Sequence, residues 1–104
     1  MRALEQTRSM LSEVSSIETY FRIAMNDPKQ DIDSQNTACE MTMWAVSARE
    51  ILDGLMVDLP RAQNDMPLLE TLTTALPTIR EQIDEVTAML HSMGIHPETF
   101  AEVH

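Results

Sequence analysis

The stretch that decides the fold runs from Leu69 to Met93 and reads LETLTTALPTIREQIDEVTAMLHSM. Its apolar residues recur at alternating spacings of three and four, which places them along one side of a helix. They are Leu69, Leu72, Leu76, Ile79, Ile83, Val86, Leu90 and Met93. Leu68, Ala75 and Met89 widen this stripe. An isolated helix of this kind is marginal in water, so the stripe predicts a bundle core or a dimer interface that covers it.

Length and composition favour one helical domain over residues 1–104. Two glycines and few β-branched runs argue against a sheet, and no apolar run reaches the ~18 residues of a membrane span. The N-terminus carries Arg2 and Arg8 but no apolar core or cleavage site, which is unlike a signal peptide. The single cysteine, Cys39, has no partner for an intramolecular disulfide. We therefore expect a cytoplasmic protein without a membrane partner.

The charge balance bears on the class of partner. Seventeen acidic residues face one lysine and six arginines, which gives a net charge of −10. Direct binding of DNA or RNA depends on Lys and Arg that neutralise phosphates, so this composition argues against it. An acidic surface suits solubility, a basic protein partner or mimicry of a nucleic acid.

Three long helices and a short one are predicted, at 3–25, 34–56, 66–93 and 97–103. The first has a stripe at Met10, Val14, Ile17, Phe21 and Ala24 and ends before Asn26-Asp27-Pro28. The second follows a cap at Asp31, Asp33 or Ser34, and Leu59-Pro60 ends it. Its small residues Ala38, Ala45 and Ala48 allow a neighbouring helix to approach closely.

A proline and a glycine are expected to shape the third helix. Pro77 lies well inside it and removes one backbone hydrogen bond, so we expect a kink there, with Thr73 and Thr74 helping to satisfy the freed carbonyls. The alternative is two helices that meet near Leu76-Pro77. Gly94 is expected to cap the helix end. A helix of about 28 residues spans roughly 42 Å, which is long for a compact chain of this size and favours a bent or elongated protein that dimerises.

The sequence offers little for catalysis, metals or cofactors. His91, His96 and His104 form no familiar zinc motif, and we assign them to a helix C-terminus, a turn and the chain end. Cys39 is followed by Glu40 and has no basic neighbour, so it is expected to pack as a small hydrophobic residue. Glu81, Asp84 and Glu85 fall opposite the stripe and predict a solvated acidic face. We expect a protein that is not an enzyme and holds no cofactor or metal.

Nine methionines and a few aromatic residues suggest an adaptable binding surface beside the core. Met10, Met43 and Met66 are the methionines that we expect to be exposed. The partner-binding candidates are Met10, Tyr20, Ile23, Met43, Trp44 and Val46. Trp and Tyr concentrate binding energy at interfaces. A core position for Trp44 is the alternative.

The acidic, Met-rich helices Thr37–Met56 and Met66–Met93 and the ending MLHSMGIHP at residues 89–97 resemble the small helical antiactivators of bacterial quorum sensing. The resemblance covers about two-thirds of the chain and includes no diagnostic motif. It implies a dimeric cytoplasmic protein that binds a LuxR-type transcription activator. Apolar helix faces would displace one protomer of the activator dimer, and DNA binding by the activator would fail as a result. The alternatives are a small acidic secretion chaperone or assembly subunit, and an inhibitor that mimics a nucleic acid.

Overall fold

A computed structural model describes residues 2–99 of the chain, and within that range the protein is helical and has no strand. The helices are α1 (Arg2–Met25), α2 (Ile32–Arg61), α3 (Met66–Thr73) and α4 (Leu76–Ser92). Since α3 and α4 are the two arms of one bent segment, the chain forms three helical segments, and the all-α prediction is confirmed. A 3₁₀ turn at 97–99 begins where a terminal helix was predicted, and residues 100–103 of that prediction lie outside the described range.

The second helix is longer than predicted at both ends. Asp31, one of three candidate caps, accepts a hydrogen bond from the backbone N–H of Ser34 at 2.7 Å. At the other end α2 continues past Pro60 to Arg61, so the prediction that Leu59-Pro60 ends the helix is wrong. The N–H of Ala62 again donates to the carbonyls of Asp58 and Leu59. Leu59 and Ala62 are fully buried, and this burial outweighs the single backbone bond that proline removes.

The first two helices form an antiparallel hairpin around much of the core. The predicted stripe of α1 is largely confirmed, because Val14, Ile17 and Phe21 are buried. The small residues of α2 are buried as well, namely Ala38, Ala45 and Ala48. Short side chains at these positions let the two backbones approach each other. Leu52, Leu55 and Leu59 complete the buried face of α2.

The third segment bends where Pro77 was expected to bend it. Thr74 and Ala75 keep right-handed helical backbone angles, but regular α-helical structure is interrupted at these two residues. The N–H of Thr74 turns to the carbonyl of Thr71 at 3.4 Å. The hydroxyls of Thr73 and Thr74 donate to the carbonyl of Glu70, at 3.2 and 2.8 Å. The threonine hydroxyls thus satisfy a carbonyl that the interrupted helix leaves without its usual donor, as predicted.

Most of the apolar stripe lies in the core. Leu76, Ile79, Ile83 and Leu90 are buried, and Leu69, Leu72 and Val86 are half-buried against them. Met93 is the exception, with 64% of its surface exposed, so it lies outside the core of the single chain. The reason is the chain reversal at Gly94, which has a φ of 77°. Ile95 N–H donates to Leu90 O and Gly94 N–H to His91 O, which is the Schellman pattern of helix termination.

Two sets of ion pairs hold the helices in register. Glu18 on α1 accepts hydrogen bonds from Arg49 on α2 at 2.6 Å and from Arg22 at 2.8 Å. Glu13 on α1 accepts two bonds from the guanidinium of Arg80 on α4, at 2.6 and 2.9 Å. Farther along both helices, Ile17 and His91 line one shallow cavity, so α4 runs parallel to α1 and antiparallel to α2.

The described part of the molecule is a rod of 52 × 23 × 21 Å with a radius of gyration of 15.2 Å. A compact chain of about 100 residues has a radius near 13 Å. The third segment is therefore bent, and the molecule is also elongated. The sequence predicted a bent or an elongated protein, and both features occur.

Replacing Ile83 by Asp should abolish the cooperative fold. Ile83 is fully buried within a single chain, and an unpaired carboxylate there has no hydrogen-bond partner to offset its desolvation. Circular dichroism with urea unfolding measures the effect. Ala88→Asp adds the same charge at an exposed position of α4 and should unfold near the wild-type midpoint. Native helicity in Ile83→Asp would contradict the packing described here.

The ion pair at Glu18 makes stability depend on pH. Burial acts to raise the pKa of Glu18, but hydrogen bonds from Arg49 and Arg22 outweigh it, and the pKa lies below its ordinary value. The stabilisation is therefore present above the ordinary carboxyl pKa and is lost as the pH falls through the lowered one. Glu18→Gln should cost about 1 kcal/mol near pH 7 and progressively less towards pH 3, measured by urea unfolding. Glu81→Gln controls for the change in net charge, and a cost at Glu18 that does not shrink in acid would refute the assignment.

Candidate protein-binding surface

The outward side of α2 carries apolar side chains that the fold does not use. Met43 lies nine positions, or two and a half turns, from the fully buried Leu52, so it points away from the core. It is 67% exposed. Cys39 and Val46 lie four residues before it and three after it, on the same side of the helix. We call Cys39, Met43 and Val46 the α2 outer face.

A second apolar strip follows the boundary between α2 and α4. Trp44 on α2 is half-buried, and its indole N–H donates to the side-chain oxygen of Gln82 on α4 at 3.1 Å. Met89 lies two turns beyond Gln82 on the same side of α4 and is partly exposed. Because α2 and α4 run antiparallel, Met41 and Met89 lie on the same side of this hydrogen bond. We call Met41, Trp44 and Met89 the α2–α4 seam.

The structure separates the six partner-binding candidates into three groups. Met10 is only 2% exposed, so the expectation that it is accessible is wrong, and its place in the α1 stripe explains its burial. Tyr20 is half-buried and packs edge-on against Phe21, with ring centroids 5.1 Å apart. Ile23 is 54% exposed, on the side of α1 opposite Val14. Of the remaining three, Met43 and Val46 share the α2 outer face, whereas Trp44 lies about 100° round the helix from Met43 and belongs to the α2–α4 seam.

Charged groups around these surfaces are mostly acidic. Arg22, Arg49 and Arg80 are engaged in pairs with carboxylates, so their charges are locally compensated. The predicted acidic face of α4 is exposed at Glu81, Asp84 and Glu85. The outward surface thus combines large apolar side chains with a net negative field, which disfavours contact with phosphates.

The bend of the third segment opens a groove of about 560 Å³ between α1 and the α3–α4 junction. Its apolar part comes from Ala3, Met10, Leu69, Leu76 and Pro77. Arg2, Gln6, Glu70 and Arg80 line its polar part. Arg80 is already held by Glu13 and Asp84. The groove was not foreseen from the sequence, although Pro77 was the signal, because a bend displaces one arm of a helix from its neighbour.

Polar groups also meet at the end of α4, although their spacing in the sequence did not predict this. His91 Nε2 lies 3.3 Å from one oxygen of Glu98, and His96 Nδ1 lies 3.3 Å from the other. The two imidazole rings are 4.9 Å apart. The pKa of Glu98 is lowered, mainly by a hydrogen bond from its own backbone N–H and then by His91. The reversal at Gly94 brings these residues together.

Comparison with known proteins gives no further guide, because no protein family, curated protein or solved structure matches this chain. Among the described residues, no helix has the length and apolarity needed to cross a membrane.

Trp44→Ala should leave the protein folded. A half-buried side chain loses less on truncation than a fully buried one, so we expect a cost below that of Leu52→Ala, for which about 2–5 kcal/mol is typical. Urea unfolding of both variants, followed by circular dichroism, gives the comparison. Unfolding of Trp44→Ala at 25 °C would show that Trp44 belongs to the core and not to the binding surface.

Proposed function

We propose that this protein is a non-catalytic regulator that binds another protein through the α2 outer face and the α2–α4 seam. The observation that carries the proposal is the exposure of Met43 on the same side of α2 as Cys39 and Val46. Half-buried Trp44, about 100° further round the helix, belongs to the separate α2–α4 seam. Apolar side chains that remain exposed together on a folded chain are typical of interaction sites. Methionine adapts its shape to a partner, and tryptophan contributes a large share of binding energy at interfaces.

We propose further that the partner is a LuxR-type transcription activator and that the protein acts as an antiactivator. The support is the resemblance of the helices at 37–56 and 66–93 and of the ending at 89–97 to quorum-sensing antiactivators. An activator that pairs through apolar helices presents the surface chemistry that Met43 and Trp44 would contact. Occupying that surface blocks dimerisation of the activator, and DNA binding is lost because both protomers are needed to grip the site.

We also propose that the protein itself is a homodimer. The elongated shape and the large apolar side chains exposed outside these two surfaces, such as Ile51, Leu68 and Met93, support this assembly, since a second copy is a frequent cover for apolar surface. Noncatalytic action is likewise part of the proposal, because apolar side chains form most of the two surfaces that carry it.

Size-exclusion chromatography with light scattering tests the partner and the assembly together. The protein alone should elute with about twice its chain mass of 11.8 kDa. With the purified ligand-binding domain of a LuxR-type activator at micromolar concentration, it should form a stable complex that lacks the activator dimer. Absence of any complex would refute the named target, and the chain mass alone would refute the homodimer.

Two methionine variants locate the surface. Met43→Ser should weaken the complex by about 1–2 kcal/mol, or roughly 5–30-fold in Kd, because it removes an apolar contact from the interface. Met66→Ser is the matched control, since Met66 is 62% exposed. Met66 follows the C-terminal end of α2, and that end lies about 27 Å along the helix from Met43. Equal affinities of the two variants would show that binding lies elsewhere.

The salt dependence of the same complex separates an apolar interface from mimicry of a nucleic acid. Mimicry remains a second candidate because of the net charge of −10. Charge contacts between exposed groups are screened at high ionic strength, whereas apolar contacts persist. We expect a Kd that changes little between low salt and 0.5 M NaCl. A large loss of affinity in salt would favour mimicry over the α2 outer face.

A further inference from the structure

We propose that His91, His96 and Glu98 form a zinc site that fastens the C-terminal turn to the end of α4. One ligand atom from each of the three lies within 4.8 Å of the others. Imidazole nitrogen and carboxylate oxygen are both regular zinc ligands, and two histidines with one carboxylate leave a fourth position for water. The inference is independent of the proposed partner and of the α2 surfaces.

The distances within the cluster suit this ion. Four ligands about 2.0–2.1 Å from a zinc ion stand roughly 3.4 Å from one another. One oxygen of Glu98 lies 3.3 Å from His91 Nε2 and the other oxygen lies 3.3 Å from His96 Nδ1, so each contact taken singly is close to that edge. The largest separation, 4.8 Å, needs a closure of about 1.4 Å. All three side chains are exposed and are free to make this rotation.

The backbone holds the ligands in place without help from the ion. His91 is fixed on the last turn of α4, and the Schellman bonds from Gly94 and Ile95 reverse the chain behind it. The 3₁₀ turn is closed by Thr99, whose N–H and hydroxyl both donate to the carbonyl of His96, at 3.1 and 2.8 Å. Pro97 stands between His96 and Glu98 in the sequence and is buried, so it anchors the two ligands on either side of it.

A bound ion would add a link between two parts of the chain that the Schellman bonds already connect. His91 belongs to α4, whereas His96 and Glu98 belong to the turn that follows Gly94. Zinc ligands from both sides would close a loop of eight residues and hold the turn against α4. Binding to the folded state in preference to the unfolded chain would raise the stability of the fold.

Titration of untagged, chelator-treated full-length protein with Zn²⁺ against a chromophoric zinc indicator tests the site. We expect saturable binding of one ion per chain at micromolar concentration and a rise in Tm on zinc addition. His91→Ala, His96→Ala and Glu98→Gln should each bind at least about tenfold more weakly and lose the rise in Tm, since even changes behind a zinc ligand cost 10–100-fold. Circular dichroism should show unchanged helicity in all three.

Two control variants make the result specific. Cys39→Ser removes the thiol, and Glu85→Gln removes an exposed carboxylate of α4 outside the cluster. Both should bind zinc as the wild type does. The proposal is overturned by any of three results: no saturable binding at micromolar zinc, undiminished binding by His91→Ala, or loss of binding by Cys39→Ser. Visible absorption of the Co²⁺-loaded protein gives a second readout, with the intense bands of tetrahedral coordination expected in wild type and absent from His91→Ala.

Discussion

The close approach of α1 to α2 is the constraint from which the other features follow. It depends on small side chains at Ala38, Ala45 and Ala48, all buried, which bring the two backbones together over about three turns. The ion pair between Glu18 and Arg49 fixes their register at the edge of this contact. Since one side of α2 is committed to the core in this way, the side half a turn away faces solvent. The exposure of Met43 is therefore a consequence of where the alanines lie.

Pro77 has a different structural role. It interrupts the third segment where the stripe passes from half-buried Leu69 and Leu72 to buried Leu76 and Ile79. The hydroxyls of Thr73 and Thr74 compensate for the interruption within two residues, so the chain bends without a loop. The bend leaves a groove beside α1, while α4 beyond it packs closely enough for Arg80 to reach Glu13. One proline thus divides the segment into a loosely and a tightly packed arm.

The two proposed sites lie on different parts of the molecule and use different chemistry. The α2 outer face and the α2–α4 seam are apolar surfaces, set by helix geometry and suited to another helix. The cluster of His91, His96 and Glu98 is polar and is assembled by a chain reversal. Binding of a protein at the first needs no change at the second. A zinc ion would stabilise the folded chain by holding the C-terminal turn against α4.

The sequence by itself determined the elements that depend on periodicity and local chemistry. Apolar spacing predicts the all-helical fold and the stripe from Leu76 to Leu90. The missing N–H of Pro77 predicts the bend, and the freedom of Gly94 to adopt a positive φ predicts the cap. Two of the six predicted binding residues, Met43 and Val46, lie on one side of α2 because they are three residues apart on the same helix.

Tertiary structure decided the features that depend on contacts between elements, which local sequence rules do not describe. Burial of Leu59 and Ala62 carries α2 through Pro60, burial removes Met10 from the surface, and the reversal at Gly94 exposes Met93. The same reversal joins His91 to His96 and Glu98, which sequence spacing alone kept apart. In each case the deciding energy or geometry comes from residues on another element or beyond a turn. Periodicity therefore fixed which faces are apolar, and only packing decided which of them remain exposed.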